Sequence, residues 1–98
     1  MAKIYWSELA KKDYWQNIDY LLEEWTDKDA SNFINKVDDY LNTISKNPKL
    51  FTKTNYKNIH AVTIVSQITL FYRITTTNEV ELVRFWNNRK DSHNFSLK

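Results

Sequence analysis

Residues 68–91 read ITLFYRITTTNEVELVRFWNNRKD, and this stretch decides the fold of the chain. Residues 68–75 alternate between two sets of side chains with the period of two that is typical of a β-strand. Residues 76–78 form a short polar turn, and residues 80–86 have the composition of a final strand. The stretch therefore predicts a β-hairpin whose second strand leads into a basic loop, where arginines are available to a partner.

Two amphipathic helical patterns precede this hairpin. The first covers about residues 8–25, with Ser7 as its N-cap. The second begins after Thr26 or Asp27 and ends before Pro48, because the residue before a proline avoids helical geometry. So short a connection between two long helices predicts an antiparallel helical hairpin.

Further strands are expected at residues 3–6 and 59–65, with a polar stretch at residues 49–57 before the latter. The order β-α-α-β-β-β predicts an α+β fold in which the helical hairpin packs on a small twisted antiparallel sheet. The strand face that contains Ile68 is expected beneath the helices, and Arg73 on the opposite face. The faces of the last strand depend on its register, which a one-residue slip would reverse. Residues 1–98 are expected to form a single domain.

Composition excludes several classes of function. The chain has no glycine, which phosphate-cradling loops and dinucleotide fingerprints require, and no cysteine for disulfides or thiolate metal sites. We expect no cofactor and no metal site. No apolar run has the length of a signal peptide or a membrane helix, so a cytoplasmic protein is expected. The formal net charge of +2 is too small to identify a nucleic-acid-binding protein by itself.

Several cationic residues are candidates for binding. Arg73 lies in mid-strand, where its planar fork suits a phosphate or a carboxylate, although an exposed arginine on an open sheet face would look the same. Arg84, Arg89 and Lys90 crowd the end of the last strand near Trp86. This group predicts phosphate binding with base stacking, or else a charged tail that keeps a small domain in solution.

Histidine and tryptophan residues give weaker indications. His60 and His93 are the two histidines of the chain, and histidine is the usual acid–base group near neutral pH. We interpret each as a surface residue. We interpret Trp6, Trp15 and Trp25 as core or hairpin contacts instead of a binding surface.

The order of these patterns resembles one protein family over nearly the whole chain. The similarity is carried by LFYRI at residues 70–74 and VELVRFWNNRKD at residues 80–91, together with the second helical stripe. Its members are Ala30, Phe33, Ile34, Val37, Leu41 and Ile44. The chain is similar to the RelE/ParE superfamily of toxins from bacterial type II toxin–antitoxin pairs. The resemblance implies a toxin silenced by a cognate antitoxin, which would cover the Arg73 face or the groove between helices and sheet.

RelE-like members of this superfamily cut mRNA on the ribosome. For that mechanism, the resemblance assigns Arg73 and Arg89 to the scissile phosphate, where they would stabilise the developing charge. The C-terminal position of a catalytic Tyr or His holds Phe95, which cannot transfer a proton, so His93 would substitute. Lys57 and His60 would add charge from the neighbouring strand.

ParE-like members instead poison DNA gyrase. Residues 84–91 resemble their arginine–apolar–apolar–histidine–x–basic–basic–aspartate segment, with Asn87 in place of the histidine. The helical hairpin is long, as in ParE-like members. The sequence therefore favours gyrase slightly over the ribosome with mRNA as the target, with Arg84, Trp86 and Lys90 at the binding surface.

Overall fold

The computed structural model describes residues 1–89. Two helices and five strands follow one another along the chain. In order, they are β1 (Ile4–Trp6), α1 (Glu8–Glu24), α2 (Asp27–Lys46), β2 (Thr52–Lys53), β3 (Ile59–Val65), β4 (Ile68–Ile74) and β5 (Val80–Asn87).

Both helices begin at side chains that cap them. Ser7 Oγ accepts a hydrogen bond from the backbone N–H of Ala10 at 3.0 Å, which confirms the predicted N-cap. Thr26 Oγ1 accepts from the Asp29 N–H at 3.1 Å, and the Asp29 carboxylate accepts from the Thr26 N–H at 3.2 Å. This reciprocal capping box starts α2 directly after α1, so the predicted helical hairpin is confirmed.

The sheet has five strands in the order β1-β5-β4-β3-β2. The α+β fold and the antiparallel pairing of β3, β4 and β5 are confirmed. The sheet is nevertheless mixed, because β1 runs parallel to β5 at its edge after the chain has crossed over through both helices. The polar stretch before β3 also contains β2, which pairs through Thr52 with Ala61 and through Lys53 with His60. A two-residue strand is too short to show a period in sequence.

The predicted helix-facing side of β4 is confirmed. Ile68, Leu70 and Tyr72 are each 0% exposed and belong to the same buried cluster as the apolar residues of both helices. Arg73 lies on the other face, opposite Glu81 of β5. The apolar alternation of β4 was therefore sufficient to orient the sheet.

A β-bulge in β5 sets the faces of the last strand. Phe71 pairs with Arg84, but the next residue, Tyr72, pairs with Leu82, so Val83 has no partner in β4. Leu82 and Phe85, three residues apart, consequently face the same side of the sheet. Simple alternation along β5 fails at this point, because a bulge inserts one extra residue into one strand.

An aromatic cluster joins both helices to the sheet. The Tyr14 ring of α1 lies next to three other rings, with centroid distances of 5.2 Å to Trp6, 5.6 Å to Phe33 and 5.7 Å to Phe85. Such rings bury large areas in a small protein, so this cluster fixes how α1, α2, β1 and β5 pack together. No helix within residues 1–89 is both long and apolar enough to cross a membrane.

Candidate functional site

The contact between α1 and β5 contains a buried ion pair. Arg84 Nε donates to Asp13 Oδ2 at 2.7 Å and its Nη2 donates to Asp13 Oδ1 at 3.0 Å. The two side chains are only 22% and 8% exposed. The Phe85 N–H also donates to Asp13 Oδ2 at 3.1 Å. Arg84, which we predicted to bind a target, directs its planar fork at α1 in this structure, and its binding role stays a prediction.

Side chains of α1 and of its N-cap residue form hydrogen bonds to the outer edge of β5, beyond the residues of β5 that pair with β1. Ser7 Oγ donates to the Val83 carbonyl at 3.0 Å, and Asn17 Nδ2 donates to the Phe85 carbonyl at 2.9 Å. Asn87 Nδ2 in turn donates to Asn17 Oδ1 at 3.1 Å. These side chains satisfy edge groups that a further strand would otherwise pair with, so α1 closes this part of the sheet.

Sequence reasoning counted Asp13 in the helical pattern of the family resemblance but assigned no partner to Asp13 or Asn17, although the sequence contains an indication of both. The two residues are buried among Ala10, Ile18 and Leu21 on α1 and are one helical turn apart. A polar side chain on a buried helical stripe requires a hydrogen-bond partner from another element. We refer to Asp13, Asn17 and their partners on β5 as the α1–β5 junction.

Arg73 and Glu81 form a second ion pair, on the open face of the sheet. The Arg73 Nη1 to Glu81 Oε1 distance is 2.9 Å, and the side chains are 42% and 36% exposed. At this exposure such a pair contributes about 0–1 kcal/mol to stability. Arg73 is therefore accessible, but a carboxylate already neutralises much of its charge.

The structure does not bring Arg73 and Arg89 together. Arg73 lies at one end of β4, whereas Arg89 follows Asn87, which pairs with Ile68 at the other end. Ile68 and Arg73 are five residues apart, which is about 16 Å along the strand. Arg89 is exposed, and its guanidinium carbon lies 6.0 Å from the ring centre of Trp25 in a cation–π arrangement. In this arrangement the two arginines do not share one phosphate.

One side of α1 is apolar and exposed. Trp15 and Leu22, seven residues apart on one side of α1, are 64% and 47% exposed, and Trp25, the C-cap residue just after the helix, is 42% exposed. Trp15, which we interpreted as a core or hairpin contact, is largely exposed, whereas Trp25 lies at the connection between α1 and α2, where its indole N–H donates to the Tyr20 hydroxyl at 3.2 Å. We refer to Trp15, Leu22 and Trp25 as the aromatic stripe.

A shallow apolar cavity lies next to the aromatic stripe. It has a volume of about 330 Å³ and is lined by Trp6, Lys11, Tyr14 and Trp15. Trp6 is half-buried against the core, in agreement with our interpretation of it as a core contact. Cavity and stripe together present aromatic surface of the kind that is enriched in protein–protein interfaces.

His60 is buried, so our interpretation of it as a surface residue is wrong. Its ring stacks on Tyr72, with centroids 5.4 Å apart, and its Nδ1 lies 3.0 Å from the Phe51 carbonyl oxygen. The Tyr72 hydroxyl donates to the Pro48 carbonyl at 2.7 Å, and burial raises the pKa of Tyr72 to about 12. Lys57 is exposed in the turn before β3. His60 and Lys57 therefore do not present their charges on one common face.

Trp86 lies on the open face of the sheet, where it pairs with Thr69. It is 7% exposed, and the guanidinium carbon of Arg84 lies 5.2 Å from its ring centre. Stacking of a base on this ring would require its neighbours to move, and its binding role stays a prediction. The predicted site residues Lys90 and His93, and the position of Phe95, lie outside the described residues.

Within residues 1–89, no three or more His, Asp or Glu side chains come together as metal ligands. The geometry presents two kinds of surface instead: an open sheet face with Arg73, and the aromatic stripe, whose Trp25 ring lies next to Arg89. Both are suited to contact with a large partner.

Comparison with known proteins identifies the class of this fold. The chain superposes on the chromosomal ParDE toxin–antitoxin system of P. aeruginosa with a TM-score of 0.72 and 12% identity, covering 89% of this chain and 96% of that one. The YoeB dimer from Staphylococcus aureus gives a TM-score of 0.59 and 21% identity over 86% and 93% of the two chains. The DinJ–YafQ complex from E. coli gives a TM-score of 0.56 and 17% identity, covering 91% of this chain and 96% of that one. A search of the curated proteins found no match to the sequence.

The fold is thus that of the toxins in bacterial toxin–antitoxin pairs. The family model of the ParE toxin of type II toxin–antitoxin systems matches residues 4–92, nearly the whole chain. The chain belongs to this family and is a toxin of a type II toxin–antitoxin system. The resemblance to the RelE/ParE superfamily predicted from sequence is confirmed.

Proposed function

We propose that this toxin stops bacterial growth by binding DNA gyrase, as a ParE-like protein without a catalytic centre of its own. The observation that carries the proposal is the separation of Arg73 from Arg89 along the sheet. Stabilising a scissile phosphate requires cations that converge on the same oxygens. Here one arginine is paired with Glu81 and the other lies over Trp25 at the opposite end.

The alternative is a RelE-like endonuclease that cuts mRNA on the ribosome. That mechanism would need a different set of groups from the pair we first assigned, with His93 as the proton-transferring residue. The aromatic stripe and the α1–β5 junction have no part in such chemistry. For this reason the arrangement of residues 1–89 supports a binding protein over a nuclease.

We further propose that the cognate antitoxin covers the aromatic stripe. Three large exposed apolar side chains on α1 and its C-cap are an unusual solvent-facing surface for a protein that acts alone. Trp15 is the most exposed of them, and tryptophan side chains often dominate the energy of protein interfaces. The chain would be kept inactive in this complex and released when the antitoxin is lost.

The proposed target also determines where the toxin acts. Gyrase works on the chromosome, so the chain functions in the cytoplasm. It does so as one domain spanning residues 1–98, without a cofactor.

The first experiment distinguishes gyrase from the ribosome. The toxin is induced in growing bacteria while incorporation of labelled thymidine and of labelled amino acids is followed in parallel. We expect DNA synthesis to fail first, together with a DNA-damage response. Loss of protein synthesis within minutes, with DNA synthesis continuing, would contradict the proposal and favour the nuclease.

The antitoxin surface is tested by a matched pair of substitutions on α1. Trp15→Ser removes the most exposed residue of the stripe, whereas Leu9→Ser removes an exposed apolar residue, 46% accessible, on another side of the helix. We expect Trp15→Ser to weaken antitoxin binding about tenfold or more, and Leu9→Ser to leave it nearly unchanged. Equal affinities of both variants and the original chain, measured by calorimetry, would place the antitoxin elsewhere.

A further inference from the structure

The charges of the chain are unevenly distributed along the sequence. Residues 1–39 contain nine of the 12 acidic residues, and the other three are at positions 79, 81 and 91. Residues 40–78 contain no Asp or Glu. They do contain five basic residues, namely Lys46, Lys49, Lys53, Lys57 and Arg73. The small net charge of +2 therefore conceals a strongly basic segment.

Four of these cations lie between the last turn of α2 and the start of β3. Lys46 is in the last turn of α2, Lys49 is in the following loop, Lys53 is in β2, and Lys57 is in the turn that leads into β3. All four are exposed. We refer to these four lysines as the basic pole.

A groove is lined by three lysines of the basic pole, and the fourth, Lys57, adjoins Asn58 of its lining. It consists of two adjoining cavities of about 770 Å³ and 370 Å³, which share Lys49, Ile74 and Asn78 in their linings. Lys46 lines the smaller cavity and Lys53 the larger one. Neither lining contains an acidic residue. The groove thus offers a continuous path along which an anion meets only neutral or positive groups.

The nearest carboxylate in sequence is engaged with other groups. Glu79 accepts hydrogen bonds from the Tyr5 hydroxyl at 3.1 Å and from Thr77 Oγ1 at 3.0 Å, and it lies outside both linings. Lys46 has a structural role, since a cation at the C-terminus of a helix opposes the helix dipole. The three ion pairs within residues 1–89 include none of the four lysines of the basic pole, so this charge is not neutralised by the described part of the chain.

We propose that the basic pole binds the phosphodiester backbone of a nucleic acid. An open groove lined by lysines suits a polyanion that can pass through it, because lysine contacts phosphates as a point charge. The two aromatic rings of the lining, Phe51 and His60, are packed against Tyr40 and Tyr72 respectively. They leave little ring surface for a base, so the contact is with phosphates and independent of base sequence.

This inference goes beyond the proposed function, since it requires neither gyrase nor the antitoxin. The basic pole is also separate from the ion pair between Arg73 and Glu81 on the open face. A toxin that holds nucleic acid at the basic pole keeps its aromatic stripe and sheet face available for proteins. Binding can therefore be measured with the purified chain and a labelled nucleic acid alone.

The test compares two variants that lose the same charge. Lys49→Gln/Lys53→Gln/Lys57→Gln removes three lysines of the basic pole, and Lys12→Gln/Lys28→Gln/Lys36→Gln removes three exposed lysines of the two helices. Fluorescence anisotropy follows binding to labelled duplex DNA of about 20 base pairs and to single-stranded RNA of similar length. We expect the variant of the basic pole to bind about tenfold or more weakly. The slope of its binding constant against salt concentration should correspond to about two to three fewer phosphate contacts. The helix variant should stay within about threefold of the original chain.

Several outcomes would overturn the proposal. They are equal weakening in both variants, no binding of either probe at low salt, and tighter binding of a poly-glutamate peptide than of nucleic acid. A third variant, Lys49→Arg/Lys53→Arg/Lys57→Arg, retains the charge and should retain the affinity, which guards against a general effect of changing these positions. The preferred probe then identifies whether the backbone is that of DNA or of RNA.

Discussion

Two ion pairs of the sheet use the same chemistry in opposite environments. At the α1–β5 junction, Arg84 and Asp13 are buried and doubly hydrogen-bonded. On the open face, Arg73 and Glu81 make one contact and are more than a third exposed. Both arginines lie in strands between apolar neighbours, so their local sequences look alike. The difference teaches that the partner's burial, and not the arginine's own context, decides whether such a residue supports the fold or remains available for binding.

The largest effect should come from breaking the buried pair. Asp13→Ala leaves the guanidinium of Arg84 and the N–H of Phe85 without their acceptor, which costs about 3–5 kcal/mol of unfolding free energy. The matched change on the open face, Glu81→Ala, should cost about 0–1 kcal/mol. Urea unfolding measures both. Similar losses in the two variants would remove the distinction between the two regions.

A second, smaller effect is expected from the amide beside that pair. Asn17→Ala removes the donor to the Phe85 carbonyl and the acceptor for Asn87, and both of these groups are buried. Loss of these partners should cost about 2–3 kcal/mol. Gln16→Ala, at the exposed neighbouring position, should change stability by less than about 0.5 kcal/mol. If both variants melted alike, α1 would not be closing the edge of β5 through side chains.

Buried polar contacts away from the junction should show their effect in alkali. The Tyr72 pKa is raised from 10.0 to about 12, so the unfolded chain releases this proton at lower pH than the folded one. The stabilisation is therefore complete below pH 10 and is lost as the pH rises toward about 12. Burial also raises the pKa of Tyr14, which contributes in the same direction. Between pH 10 and about 12, the melting temperature should fall less steeply with rising pH for Tyr72→Phe than for the original chain. Identical slopes in the two proteins would contradict the assignment.

The smallest effect on stability is expected at the two accessible arginines, where the effect on toxicity should be clear. Arg73→Ala and Arg89→Ala each remove an accessible cation and should change the unfolding free energy by less than about 1 kcal/mol. We expect both to reduce growth inhibition when they are induced. A strongly lowered melting temperature in either variant would show a structural role instead.

Much of the fold was predictable because local periods determine it. The apolar alternation of β4 gave its buried face, and the capping residue Ser7 gave the start of α1. The parallel pairing of β1 was not predictable, since it depends on a crossover through two helices. The bulge at Val83 also has no local indication, and it reverses the apparent faces of the last strand.

The site was less predictable than the fold because its contacts join distant parts of the chain. Asp13 and Arg84 are 71 residues apart, so neither position identifies its partner. The separation of Arg73 from Arg89 likewise follows from strand register, although a motif comparison placed both on one phosphate. Trp15 shows the opposite error, since we interpreted it as a core or hairpin contact but its side chain is 64% exposed.

The central claim is that this toxin acts by binding gyrase. The most direct measurement incubates purified gyrase, supercoiled plasmid and ATP with the toxin and follows the DNA by electrophoresis. Our account predicts that cleaved plasmid accumulates in the presence of the toxin. Unchanged gyrase activity, together with cleavage of mRNA when the toxin is added to translating ribosomes, would contradict it.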